Sequence, residues 1–227
     1  GGPDHADTVT ATVADDEGNH ASAADDATVS FSDVLPSVSV GKTPSPGAVP
    51  EPGGVVTFTV EVANTAVEPV TLTSLVDSVF GDLRYAGNPA VTNSTCPLQS
   101  AVIPVGGAFS CSFDAFVSGD AGGPAHTNVV LATVMDDEGN IASGLDQAAV
   151  AFGDVTPTID VDKQAATGAV AEPGGMVLFT VAVHNTSPEQ VSVTSLSDSV
   201  FGDLLDPGNA AVSANTCPAR PAVVAAG

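Results

Sequence analysis

Residues 51–65 read EPGGVVTFTVEVANT, and residues 172–186 read EPGGMVLFTVAVHNT. In the first copy a Pro-Gly-Gly turn opens into alternating positions, with Val56, Phe58, Val60 and Val62 on one side and Thr57, Thr59 and Glu61 on the other. A period of two is that of a pleated strand with one face toward a core. The copies lie 121 residues apart, so Phe58 and Phe179 are expected to occupy equivalent surroundings.

The likeness extends far beyond this stretch. Set against residues 122–227 without a gap, residues 1–106 are identical at 60 positions. That is tandem duplication, and units this long fold as separate beads rather than as thin solenoid layers. Residues 1–34 match 122–155 and are the tail of a preceding unit, residues 35–155 make one complete unit, and residues 156–227 are the N-terminal part of a following one. The chain thus opens and closes inside a unit, which reads as a segment of a longer secreted protein. The two partial ends also complement each other except for the counterpart of residues 107–121, so copies joining head to tail by strand donation is a second reading, behind that of a plain excised fragment.

Within the complete unit, Val38 and Val40 mark a first strand and residues 70–76 another. Phe109, Cys111, Phe113 and Ala115 alternate in a third. Strands near residues 128–135 and 141–152 flank a DDEGN turn at Asp136–Asn140, where Gly139 supplies the positive φ of a tight hairpin. Abundant Val and Thr, no Trp and 23 Gly suit strands joined by turns. The expected fold is all-β, a two-sheet sandwich with a period of 121 residues.

Twenty-seven acidic residues face four basic ones, a formal charge of −23. Such a field disfavours nucleic acid and anionic membrane as partners and attracts cations. No apolar run approaches the roughly 18 residues of a membrane helix, so no membrane insertion is expected.

Cys96 and Cys111 are expected to form a disulfide, the mark of an oxidising compartment, with two free buried thiols as the alternative. Cys217 is the counterpart of Cys96, and its own partner would fall outside the chain. The DDEGN turns, Asp15, Asp16, Glu17 and Asn19 in one copy and Asp136, Asp137, Glu138 and Asn140 in the other, carry hard oxygen donors that suit calcium and equally suit a solvated hairpin tip. If strands run up and down, Asp136–Asn140 sits beside the entry linker carrying Asp33. Glu51, Asp77 and Asp82 then gather near the exit linker with Asp154. Calcium between these acidic poles would stiffen the junctions between units.

Lys42 and Lys163 are equivalent, two of only four basic residues. Their ordinary reading is an ion pair with one of many carboxylates. A lysine can instead close an isopeptide bond with an asparagine, but no Asn lies on the last strand. No nucleophile elbow, His-centred triad or phosphate-cradling loop is present, so no enzyme is expected. Asn93-Ser94-Thr95 and Asn185-Thr186-Ser187 fit the glycosylation pattern.

The order EPGG-x-V-x-FTV-x-V-x-NT, LTSL-x-D, FGDL, Thr-Cys-Pro and HTN-x-V before DDEGN resembles the tandem Ig-like repeats of bacterial surface and adhesin-type proteins. That resemblance implies a Greek-key immunoglobulin-like sandwich, secretion or cell-surface display, and a role as stalk, fibre or matrix whose partners are neighbouring copies or repeats. The alternative is a binding module that grips a glycan or protein receptor through loops such as 64–69 and 84–93. Tyr85, the sole Tyr, has Asp206 as its counterpart, which argues against sugar stacking by every unit.

Overall fold

The computed structural model describes residues 3–227. They form strands and turns and, among the described residues, no helix. The chain begins with β1 (His5–Ala14) and β2 (His20–Val29), followed by β3 (Val38–Ser45), β4 (Ala48–Pro50), β5 (Gly53–Asn64), β6 (Val70–Asp77) and β7 (Gly81–Asp82). Then come β8 (Ala101–Ile103), β9 (Ala108–Ser118), β10 (His126–Met135) and β11 (Ile141–Gly153). The last are β12 (Ile159–Ala165), β13 (Phe179–Asn185), β14 (Val191–Val193), β15 (Ser197–Asp198), β16 (Gly202–Asp203) and β17 (Ala222–Val224).

β5 is the middle strand of a three-stranded sheet, between β3 and β9. A six-stranded sheet runs β4-β11-β10-β6-β7, with β8 also on β6. The β1–β2, β12–β13, β14–β17 and β15–β16 pairs each stand as two strands. By proximity the described residues gather into two compact units. The first holds residues up to Pro44, Thr57–Ala115 and Asn128–Ala148; the second holds Ser45–Val56, Phe116–Thr127 and Ala149 onward.

The core of the first unit follows from the alternation in β5. Phe58, Val60 and Val62 are fully buried, with Leu72 and Leu75 from β6, Phe113 from β9 and Val130, Ala132 and Val134 from β10. Each of these side chains other than Ala132 contributes about 1.5–3 kcal/mol by leaving water. The rings of Phe58, Phe80 and Phe113 meet at centroid distances of 5.5 to 5.8 Å, one pair stacked and one edge-on, the offset geometries that aromatic quadrupoles favour.

The second unit contains the EPGG turn. Gly53 has φ +145, and a Cβ there would lie 2.2 Å from the Val117 carbonyl oxygen, so only glycine lets the backbones approach. β4 then pairs parallel with the end of β11, Ala48 against Ala151 and Pro50 against Gly153. In the later copy β13 is shorter than β5, because it pairs with β12 alone while β5 is paired on both sides. Phe179 nonetheless meets Phe201 at 5.7 Å and 50°, where Phe58 meets Phe80 at 5.6 Å and 47°. It keeps the equivalent of the Phe80 contact but not of the Phe113 ring that stacks on Phe58 at 5.5 Å, and its cover is thinner, for Phe179 is 40 % exposed and Phe58 is 0 %.

The hairpins β1–β2 and β10–β11 show the same contrast. Gly18 (φ 86) and Gly139 (φ 91) make matching turns, each closed by a backbone bond from the first Asp to the Asn. β10 lies against β6 and buries alternate residues, whereas every residue of β1 and β2 is exposed.

Candidate functional site

Three features of the fold bring chemically capable side chains together: acidic groups at two turns, a lysine in the core, and an open apolar cleft.

The DDEGN turns are largely self-satisfied. Asp136 Oδ1 accepts from the Asn140 backbone N–H at 2.7 Å, and its Oδ2 accepts from Asn140 Nδ2 at 3.0 Å. Asp15 and Asn19 repeat both bonds at 2.7 and 2.9 Å. Hydrogen bonds from Asn19 hold Asp15 below the usual carboxylate range. Burial pushes Asp136 upward, but the Asn140, Gly139 and Glu138 donors outweigh it and leave that group lowered as well. Asp16, Glu17 and Asp137 are exposed.

Asn140 Nδ2 also donates to Asp33 Oδ2 at 2.9 Å, which places the entry linker beside the turn as expected. The oxygens that converge there belong to Asp33, Glu138 and Glu68, which lie within 4.8 Å of one another. Glu68 is the member that sequence reading missed. It follows the NT of the EPGG motif, and Asn64 sets its place: Asn64 Nδ2 donates to the Glu68 carbonyl at 2.7 Å and to the Ile103 carbonyl at 3.1 Å. Burial, then the charges of Glu138, Asp137 and Asp33, push the Glu68 carboxyl above its ordinary range.

The second unit holds a matching cluster of Glu51, Asp120 and Glu189. Glu51 is buried and accepts from the Val155 N–H at 2.8 Å and from the Ala121 N–H at 2.5 Å. These donors, with the Ala121 bond the stronger influence, keep it lowered despite burial. Glu189 is pushed up by burial and then by Glu51, Asp120 and Asp154. Glu189 is the counterpart of Glu68, and Asn185 Nδ2 fixes it by donating to the Glu189 carbonyl. Of the residues expected here, Asp154 is near Glu51. Asp77 lies in the core instead, and the Asp82 side chain accepts from the Arg84 N–H at 2.9 Å.

Cys96 and Cys111 form the expected disulfide, with Cα atoms 4.8 Å apart, and Cys217 is a free, half-buried thiol. Lys42 pairs with a carboxylate as expected, and the pair lies in the core. Its side chain and that of Asp77 are both 0 % exposed, and Nζ donates to Asp77 Oδ2. The Phe58, Phe113 and Phe80 centroids lie 4.8, 5.7 and 5.9 Å from Nζ. Lys163 repeats the arrangement at a more exposed position, donating to Asp198 Oδ2 with Phe179 4.8 Å away. The Lys163 hydrogen bond lowers Asp198 to about 2.

Residues 163–224 enclose a cleft of about 710 Å³ lined by Phe179, Val181, Val193, Leu196, Phe201 and Leu205 among others. The first five are counterparts of Phe58, Val60, Leu72, Leu75 and Phe80, all of them buried. The loops considered for receptor binding are braced: Asn64 pins 64–69, and Asn88 Nδ2 ties 84–93 to the Phe80 carbonyl at 2.7 Å. No helix of the described residues is long and apolar enough to cross a membrane.

No protein family matches the sequence, and neither does any curated protein. Among solved structures, the crystal structure of the major pilin subunit of Bacillus cereus is similar at a TM-score of 0.29 and 9 % identity, covering 96 % of this chain and 74 % of that one. Likeness at that level carries no functional argument.

Proposed function

We propose that this chain is a length of an extracellular stalk or fibre, built from Ig-like Greek-key β-sandwich repeats of 121 residues, and that its work is to hold shape. The repeats run 1–34, 35–155 and 156–227. One observation carries this reading: Phe179, Phe201, Lys163 and Asp198 reproduce the frame of Phe58, Phe80, Lys42 and Asp77, ring for ring and charge for charge. The disulfide supports an oxidising, secreted or cell-surface setting.

Junctions are the weak points of any such string, and each acidic cluster joins carboxylates from two successive repeats. Asp33 belongs to the first repeat, and Glu68 and Glu138 to the second; Glu51 and Asp120 belong to the second, and Glu189 to the third. Calcium bound there would replace repulsion by bridging and stiffen the string. Between copies, the bare β1–β2 hairpin carries the pattern of β10–β11, and the cleft at residues 163–224 lacks strands of that kind. Strand donation from one copy to the next would cover the hairpin and supply the counterparts of β10 and β11, though not that of β9.

Negative-stain imaging with and without EDTA tests the proposal. Uniform rods or fibres that become more flexible in chelator are expected. Isolated beads in both conditions would overturn it, and beads bearing a distinct terminal head would favour receptor binding instead.

A further inference from the structure

The buried Lys42–Asp77 pair has a third member. Asn128, two positions before the Val130 that stands opposite Asp77 in the β6–β10 ladder, is 1 % exposed. Its Nδ2 donates to Asp77 Oδ1 at 3.5 Å, and its own Oδ1 is buried without a hydrogen-bond partner. One carboxylate therefore touches an amine through Oδ2 and an amide through Oδ1, inside a cage of three phenylalanine rings. The Val79 and Phe80 N–H groups also donate to Asp77 Oδ1, at 2.9 and 3.0 Å. An ordinary structural ion pair has no use for an asparagine whose carbonyl is left unsatisfied in the core.

We infer that Lys42 Nζ and Asn128 Cγ become joined by an amide bond that the folded protein makes itself, with Asp77 as the catalytic residue that carries the protons. The ammonium of Lys42 gives a proton to Asp77, and the neutral amine attacks Asn128 Cγ. Asp77 then hands protons to Nδ2 as the Cγ–Nδ2 bond breaks. Nζ–Cγ forms, ammonium leaves, Asp77 returns to carboxylate, and no oxidant or cofactor is consumed. Burial in the aromatic cage lowers the lysine pKa, with Asp77 opposing that shift, so the attacking form is more accessible than on a surface lysine.

Asn128 is the better acceptor of the two candidates. An ionised carboxylate is a poor electrophile toward an amine, whereas a neutral amide or carboxylic acid carbonyl can release its nitrogen or its hydroxyl once that group is protonated. Lysine and aspartate recur in the third repeat as Lys163 and Asp198, and the counterpart of Asn128 in the first repeat is Asp7. Amide and acid interchange at the acceptor position, and either yields the same bond, the acid by loss of water. Sequence reading looked for the asparagine on the last strand and missed it on the one before. The bond would link the three-stranded sheet, through β3, to the six-stranded sheet, through β10.

High-resolution intact mass of the wild-type chain tests this without any variant. After allowance for the disulfide, the mass is expected about 17 Da below that of the sequence, the loss of one ammonia. Proteolysis should yield one branched peptide containing Lys42 and Asn128. Asp77→Ala should restore the full mass, and Asn128→Asp should give a loss of about 18 Da, one water. A wild-type mass equal to the sequence, in protein whose Cys96–Cys111 bond and strand signature show it folded, would overturn the inference. So would a loss of about 18 Da in the wild type with the branch mapped to Asp77.

Discussion

Phe58 and Phe179 hold the same place in the repeated sequence and the same ring geometry, yet one is 0 % and the other 40 % exposed. Truncating each to alanine therefore separates the value of the local frame from the value of its cover. At Phe58 the substitution loses the transfer energy and leaves a cavity, about 3–5 kcal/mol for a fully buried phenylalanine. At Phe179 the site already opens on a cleft, so no closed cavity forms. Scaling full burial by the share still covered gives about 1–2 kcal/mol. For a chain of 227 residues these correspond to falls in melting temperature of about 12 °C for Phe58→Ala and about 4 °C for Phe179→Ala. Differential scanning calorimetry of the two variants reads the difference directly. A copy of residues 107–155 joined after Gly227, in the register of the repeat, would supply the missing strands, and the Phe179→Ala cost should then rise to that of Phe58→Ala. Equal costs in the unextended chain, or no rise on extension, would refute the reasoning.

Three further expectations follow from the same geometry. Cys96→Ser with Cys111→Ser opens a loop closed at a separation of 15 residues and should cost about 3 kcal/mol, read as a lower denaturation midpoint than that of the oxidised wild type. Gly53→Ala meets the Val117 carbonyl, whereas Gly174 has nothing within 4 Å of its Cβ position. Gly53→Ala should consequently destabilise the chain by clearly more than Gly174→Ala in urea titrations. Glu68 and Glu189 have folded pKa values above their unfolded 4.5, so the native state binds protons more readily than the unfolded chain. Burial of their charged forms, and then repulsion from the neighbouring carboxylates, costs stability at neutral pH, and that cost is relieved as pH falls through the raised values toward 4.5. Glu68→Gln with Glu189→Gln should abolish this gain, along with any rise in melting temperature on adding calcium; a profile unchanged by the double substitution would count against the clusters as junctions.

Much of the fold was legible because its cues are local. The alternation of β5, the positive φ of Gly139 and the spacing of Cys96 and Cys111 each declare themselves within a few residues. Strands of two or three residues such as β7, β8 and β15 carry no periodicity and exist only through their partners. The acidic clusters were half visible: the turn and the linkers could be read, but Glu68, Asp120 and Glu189 join them through loops that Asn64 and Asn185 shape. Lys42 reads as one basic residue among many acids, and nothing in its neighbourhood in sequence says that it points into the core. Asn128 meets Asp77 only through the register of β10 on β6, a long-range pairing that no window of sequence contains.

The claim on which the rest depends is that a 121-residue bead recurs and acts mechanically. Small-angle X-ray scattering of chains carrying two and four complete repeats, in calcium-containing buffer, tests it most directly. The account predicts a maximum dimension that doubles with the number of repeats. Growth of only about 30 %, as for one compact globule of doubled length, would contradict it.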